Sequence, residues 1–452
     1  MTQSSDIAQP QPNSPEVSLK GQCAVVVLFS YYASDPRPRR EAETLQQAGM
    51  DVEVICLRED SSEPTREVIN GVRVFRLPIA RRRDGKLTYI LQYTAFFIAA
   101  LCVVSARSLR TRYHLVHAHN MPDFLVFTGI LPRLRGAKIM LDLHDPMPEL
   151  LRTIYGVPEN SFMVKYLKLV EKSSIAFADI VLTPNIAFRN LFISRGCPPE
   201  KIHIIMNSPR SDIFKENSEP PYSRLTGNNG QIPTGEGTPS SPALSATNDN
   251  HALEADAISS PALPPPSDRP FILMYHGLLV ERHGLDLAIR AVDQVRKRIP
   301  NVRLDLYGKP TSYMEQMKKL IQQLGLESVV HFYGWISQEE IARRIQQIDL
   351  GLIPNRVTCF TQINMPTRIF EYLAERKPVI VPNTKGIRDY FDENNMLFFE
   401  PENIDSLSRK IYWVHEHRED VIAFIQKAHS VYEKHEWKFE ERRFIKLAQQ
   451  VA

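Results

Sequence analysis

The chain is 452 residues long, 43% hydrophobic and 24% charged, with a formal net charge of +3. These values describe a soluble globular protein of two or three domains. With no Lys/Arg run interleaved with aromatics, they give no support for a nucleic-acid partner. The five cysteines are dispersed, none at metal-ligand spacing, which fits a reducing compartment and points to the cytoplasm.

In chain order, residues 1–21 lack an apolar core and a cleavage pattern, so they read as a disordered tail and not as a signal peptide. From 22 to 214, apolar runs such as "QCAVVVLFS", "DVEVICL", "GVRVFRL", "YHLVHAH", "KIMLDLH", "ADIVLTPN" and "KIHIIMN" alternate with helical patterns. Near-continuous apolar strands separated by helices predict a doubly wound parallel sheet covered on both faces. Within it, "LTYILQYTAFFIAALCVVSA" (87–106) is uncharged and long enough to span a membrane. Its Tyr, Gln and Thr residues and its flanking strands favour a buried helix. With the preceding "RRRDGK", 81–106 is also the candidate for peripheral contact with the inner face of the cytoplasmic membrane.

Residues 215–268, rich in Pro, Ser, Gly and Asn, read as a disordered linker or insert. Alternation resumes with "FILMYHGLL", "VRLDLYG", "VVHFYGW", "DLGLIPN", "KPVIVPN" and "MLFFEPE", a second Rossmann-like domain over 269–432, before a C-terminal helix at 433–452. The expected architecture is α/β, with two doubly wound domains facing a central cleft. Such sheets bind ligands at their strand carboxyl ends.

Candidate chemistry concentrates at those ends. In "YHGLLVERHG", Gly277 and Gly284 let backbone approach a phosphate, with Arg282 or His283 adding positive charge; a plain strand-to-helix turn is the alternative. "INMPTRIFEYLA" starts a helix with Asn364 or Thr367 as cap and Pro366 in the first turn. One turn on, Glu371 is either a carboxylate for sugar hydroxyls or part of a solvated Arg368–Glu371–Glu375 face. In the first domain, "HAHNMPD" gathers His119, Asn120 and Asp123 at one strand end, and "LDLHDPMPEL" gathers His144, Asp145 and Glu149 at another. HExxH, paired CxxC, phosphate-loop and GxSxG motifs do not occur, so a catalytic metal and a Ser or Cys nucleophile lack sequence support.

"VHAHNMPDFLVF", "KIMLDLHDPMPEL", "MYHGLLVERHGLDLAIRA" and "MPTRIFEYLAERKPVIVPNTKGIRDYF" together resemble glycosyltransferase family 4, the retaining enzymes of the GT-B fold. Within that family the chain looks like the bacterial enzymes of exopolysaccharide or O-antigen synthesis. The resemblance implies a UDP- or GDP-linked sugar donor, a saccharide or lipid-linked saccharide acceptor, and no cofactor or metal. It assigns Glu371 to the donor ribose, Gly277 to the diphosphate loop and His144 to the transferred sugar. It places the donor on the second domain and the acceptor on the first, where His119, Asn120, Asp123, Asp145 and Glu149 are the candidates.

Two departures stand out. Many members have a second glutamate eight residues earlier, where Ile363 stands here, leaving sugar contacts to the backbone around Asn364 to Thr367. Many also carry Arg and Lys where Leu278 and His283 stand, so phosphate stabilisation passes to Arg282, with His283 and Arg368 in support. A sugar-nucleotide epimerase on the same fold and a non-catalytic scaffold of a polysaccharide assembly complex are the rival readings.

Overall fold

The computed structural model describes residues 19–79, 86–214 and 269–451. The segment 215–268, the tail before residue 19 and Arg81, Arg82 and Arg83 lie outside them.

The first sheet has eight strands: β1 (Cys23–Val27), β2 (Asp51–Leu57), β3 (Arg66–Ile69), β4 (Val72–Leu77), β5 (Leu115–His119), β6 (Lys138–Asp142), β7 (Ile180–Thr183) and β8 (Ile202–Ile204), ordered β3-β4-β2-β1-β5-β6-β7-β8. β5 and β7 are buried along their whole length, as apolar runs covered on both faces require. The exception is β3, a largely exposed edge strand antiparallel to β4. Its Asn70–Gly71 turn has φ of 49° and 82°, the conformation an Asn-Gly hairpin favours.

Helices α1 (Pro36–Gln47), α2 (Lys86–Ser108), α3 (Ile130–Leu134, after a 3-10 turn at Asp123–Gly129), α4 (Met147–Tyr155), α5 (Phe162–Phe177) and α6 (Ile186–Ser194) connect these strands. Strand order reverses at β1, and right-handed crossovers then put α1 on one face and α2, α3, α5 and α6 on the other. The two cores agree: Ala42 and Leu45 of α1 pack in one, and Phe96, Ile175 and Phe188 in the other. The expectation of a buried helix at 87–106 is corrected. Among the described side chains of α2, Gln92, Phe96, Ala100, Val104 and Ser108 are the buried ones, a stripe repeating every fourth residue.

The second sheet holds β9 (Phe271–His276), β10 (Val302–Tyr307), β11 (Val330–Gly334), β12 (Leu350–Leu352), β13 (Val379–Pro382) and β14 (Leu397–Phe399), ordered β11-β10-β9-β12-β13-β14, with every pairing parallel. Its helices are α7 (Leu285–Val295), α8 (Ser312–Leu324), α9 (Gln338–Gln347), α10 (Thr367–Ala374) and α11 (Lys385–Arg388). Three more follow: α12 (Ile404–Glu416), α13 (Arg418–Glu433) and α14 (Trp437–Val451). α14 returns to the first domain, where Trp437, Phe444, Leu447 and Ala448 join the core beside α1. There the Arg40 guanidinium lies 4.0 Å over the Trp437 ring, and the Met206 N–H donates to Glu440 at 3.1 Å.

The strand carboxyl ends of the two sheets face each other, and the loop between β12 and α10 bridges them. Phe360 enters the first-domain core, 5.8 Å from the Phe188 ring centre. Thr358 and Thr153 hydroxyls lie 3.0 Å apart, and the Ile186 N–H donates to Tyr390 Oη at 3.0 Å. Ile363 packs against the same first-domain core. An apolar side chain at that position therefore has a packing role that a carboxylate could not fill.

Candidate active site

On the second domain the site is built from the end of β9 and the start of α10. Gly277 follows β9 with φ of 123°, a conformation that disfavours side chains, and its carbonyl would lie 2.1 Å from a Cβ on Gly308. Arg368 sits beneath this loop. Its Nη1 donates to the His276 carbonyl at 2.7 Å, and its guanidinium lies 4.6 Å over the Tyr275 ring. A Cβ on Gly277 would meet Arg368 Nη1 at 3.0 Å, so glycine lets the cation approach the loop backbone. α10 begins after Pro366 with no side-chain cap, which corrects the expectation that Asn364 or Thr367 caps it. Asn364 instead packs its carbonyl against Gly386, where a Cβ would come within 2.4 Å, and Thr367 is the first helical residue.

Glu371 is 9% exposed and Glu375 1%, so the solvated-face alternative is overturned. Glu371 Oε2 lies 3.3 Å from His276 Nε2. Burial pushes the Glu371 carboxyl up to about 7 against the opposing pull of Arg368, and burial with Arg368 pushes His276 down to about 3. A raised carboxyl favours the neutral form in the fold. Its contribution to stability is therefore complete below the ordinary carboxylate range and is lost as pH rises through about 7. Between about pH 5 and about pH 8, Glu371→Gln is expected to lose less stability than the unsubstituted chain, by on the order of 3 kcal/mol. Urea denaturation at both pH values checks this, and parallel losses would contradict it.

The 3-10 turn Glu281–His283 carries the remaining charge. Arg282 Nε is buried without a hydrogen-bond partner among the described residues. Burial lowers its pKa, and the nearby Asp145 of the first domain acts in the opposite direction. His283 behaves differently from the cation expected of it. Its Nδ1 lies 2.7 Å from the Leu278 carbonyl and 2.8 Å from Tyr275 Oη, and burial, then Arg368 and Arg282, push its pKa well down. It braces the loop as a neutral imidazole, and the positive charge falls to Arg282 and Arg368.

On the first domain, His144 and Asp145 are half-buried at the end of β6. Burial opposes protonation of His144, but the Asp142 carboxylate outweighs it and raises the pKa. Asn120 joins the two strand-end loops. Its Nδ2 donates to Asp123 at 3.1 Å and to the Asp145 carbonyl at 2.6 Å, while its Oδ1 accepts from the His144 N–H at 3.2 Å. Asp123 is buried, which pushes its carboxyl up to about 6. Glu149 is buried in an ion pair with Arg195, whose Nη1 also holds Glu171 at 3.0 Å. His119, Asp123 and Glu149 are thus buried at the strand ends, and His144 and Asp145 are the more accessible of the first-domain candidates.

Behind His144 lies a cluster not singled out from the sequence. Glu41, His117, His119 and Asp142 are fully buried and bring ligand-type atoms within 4.8 Å of one another. This donor set could hold a metal ion in principle. The structure fills the need for positive charge differently. Arg37 Nε and Nη2 donate to Asp142 at 2.6 and 3.0 Å, and Nη2 lies 3.4 Å from Glu41. A dication between these carboxylates would have to displace that guanidinium. The legible signals were an Arg-Glu pair one helical turn apart after a strand-end loop and alternating His117 and His119 on an apolar strand.

Two facing doubly wound domains with this charged cleft are the GT-B architecture. Sucrose-phosphate synthase from Thermosynechococcus elongatus superposes with a TM-score of 0.70 at 17% identity over 95% of this chain and 98% of that one. HepE from Anabaena, solved in complex with UDP-glucose, does so with a TM-score of 0.63 at 14% identity over 95% and 99%. At such identities the likeness is one of fold.

Residues 35–208 match the glycosyl transferase 4-like domain, and residues 258–431 match the glycosyl transferases group 1 domain. The chain is a GT-B protein carrying these two glycosyltransferase domains. A stretch of 89 residues is 32% identical to a GDP-mannose-dependent alpha-(1-6)-phosphatidylinositol monomannoside mannosyltransferase of Mycolicibacterium smegmatis. That match spans 20% of this chain and 23% of the relative's length.

Proposed function

We propose that the chain is a retaining glycosyltransferase that moves a sugar from a nucleoside diphosphate sugar to a hydroxyl of a saccharide acceptor in bacterial cell-surface polysaccharide synthesis. The observation that carries this reading is the placement of Glu371, Arg368 and the Gly277 loop together at the end of β9 and the start of α10. The two domain matches support it, as do the UDP and UDP-glucose complexes of HepE. The mannosyltransferase relative takes a GDP-linked donor, so both bases belong in the test. In this reading the second domain (269–432) holds the donor, with Glu371 on its ribose, and the first (22–214) holds the acceptor, with His144 beside the transferred sugar. Selectivity for base and sugar lies in the loop at Gly334 and Trp335 and in residues 355–362.

As the anomeric bond breaks, the leaving diphosphate takes the electron pair, and Arg282 with the N–H groups of the loop and of α10 stabilises its charge. This electrostatic work needs no metal. The acceptor oxygen attacks the same face, and its proton passes to the departing phosphate oxygen. Loop contacts such as Phe360 on the first domain restrict water in the closed cleft.

The test incubates the chain with UDP- and GDP-sugars, with and without saccharide acceptors, and follows products by NMR. Expected is acceptor-dependent release of nucleoside diphosphate, with a product that keeps the donor's anomeric configuration. A new nucleotide sugar formed without acceptor identifies an epimerase, and no turnover at all contradicts an enzyme.

A further inference from the structure

α2, α3 and α5 lie side by side on one face of the first sheet, joined through the 3-10 turn at Asp123–Gly129. The outward surface of this layer is unusually apolar. Leu91 and Ile98 on α2 are 62% and 54% exposed, Leu134 on α3 is 80% exposed, and Phe162, Tyr166 and Leu169 on α5 are 85%, 51% and 62% exposed. On α2 the exposed side is as apolar as the stripe packed on the sheet, since Ala95, Cys102 and Ala106 continue it. A helix built only to cover a core has a polar outer face, so a second apolar face needs a second partner.

The exposed charges on these helices and directly after them are basic, and Arg110 also lines a surface recess with Asp51 and Glu53. Lys165 and Lys172 flank the α5 stripe, Arg135 follows α3, and Arg110 follows α2, all exposed. No exposed acidic side chain lies on α2, α3 or α5, because the one carboxylate on these helices, Glu171, is buried against Arg195. Glu159, exposed in the loop before α5, is engaged by Lys168 and Arg152.

We infer that this helical face docks on an anionic membrane surface, its apolar side chains entering the headgroup boundary and its basic residues meeting lipid phosphates. A second copy of the chain fits the surface less well, since a two-fold contact would set one basic patch against another. Topology gives the docking an orientation. α5 runs back from the strand carboxyl ends to β7, so Phe162 stands at the cleft end of the layer and the cleft opens beside the bilayer. Peripheral attachment of this kind presents the site to substrates anchored in the membrane.

The experiment is flotation of the full chain with vesicles of phosphatidylcholine alone or mixed with phosphatidylglycerol, at low and high salt. Expected is binding to the anionic vesicles, weaker on phosphatidylcholine and reduced by salt. Leu91→Glu with Ile98→Glu, and Phe162→Glu with Leu169→Glu, change exposed positions. Each pair is expected to keep the native melting temperature while losing binding by at least about tenfold. Lys165→Glu with Lys172→Glu is expected to lower the preference for anionic vesicles by on the order of tenfold. Failure of the unsubstituted chain to float, or equal flotation of the glutamate variants, overturns the inference. A dimer in sedimentation equilibrium that these variants abolish, without vesicle binding, also overturns it and assigns the face to self-association. Vesicle binding is read without donor or acceptor, so it stands or falls apart from the transferase reading.

Discussion

Arg282→Ala is expected to lower turnover by about a hundredfold or more, with a smaller change in donor KM. The expectation rests on where charge develops. A nucleoside diphosphate leaving group gains negative charge as the anomeric bond breaks, so a cation fixed beside it acts mainly in the transition state. Arg282 is held for that role. Its backbone carbonyl accepts from the Arg356 N–H at 3.0 Å, and the turn that carries it ends at Gly284 with φ of 63°. A Cβ on Gly284 would fall 2.0 Å from the Pro354 carbonyl, so the turn is packed against the bridging loop. Arg368 already donates from Nη1 to the His276 carbonyl beneath the glycine loop, so it is less free to take over that role. Steady-state kinetics with the donor found by the assay above check the prediction, and wild-type turnover in the variant would remove Arg282 from the mechanism.

Arg37→Met is expected to destabilise the fold by about 3–5 kcal/mol, a large share of the roughly 5–15 kcal/mol that holds a typical domain. Arg37, Glu41 and Asp142 are buried together, and removing the guanidinium leaves the Asp142 carboxylate without its bidentate partner. Burial raises the Asp142 carboxyl, but Arg37 and the neighbouring histidines outweigh it and hold it well below the usual range. A depressed carboxyl contributes stability above its ordinary range and loses it as pH falls toward the folded value. The unsubstituted chain should therefore lose this contribution in acid, whereas Arg37→Met lacks it already at neutral pH. The double variant with Asp142→Asn is expected to recover part of the loss, because Asp142 then no longer carries an unpaired charge, although Glu41 stays buried without its guanidinium. Urea denaturation of the three variants checks this, and additive losses would show that the pair does not couple. Since Asp142 also raises the pKa of His144, the cluster ties first-domain stability to the site.

Much of the architecture was readable because parallel strands buried on both faces leave long apolar runs. Every run quoted from the two domains contains a strand, and the sheets are wound as expected. β3 escaped because "REVI" is short, polar and exposed, and only the Asn-Gly turn after it signals a hairpin. α2 was misjudged because composition alone does not say which side of an apolar helix meets a core. Its four-residue burial stripe appears only once the sheet is placed.

At the site, Glu371 could be read from its place one turn into a helix after a strand-end loop, and burial then removed the solvated alternative. His276 was quoted within its motif but not singled out, although a polar residue ending an apolar strand was the available signal. Glu149 looked like a cleft residue because it follows His144 and Asp145. A helix turns successive side chains in different directions, and this one points to Arg195. The carboxylate absent at Ile363 is the converse case. The family resemblance marked the gap, but only the packing of Ile363 against the first domain gave the residue a use.

The central claim is that the second-domain site holds a nucleoside diphosphate through Glu371. Titration calorimetry of UDP and GDP into the unsubstituted chain and Glu371→Ala tests it most directly. One nucleotide binding the native chain, with affinity lost by at least about tenfold in the variant, is the result predicted for a carboxylate hydrogen-bonded to ribose. Equal affinity in the two proteins, or no binding of either nucleotide, would contradict it.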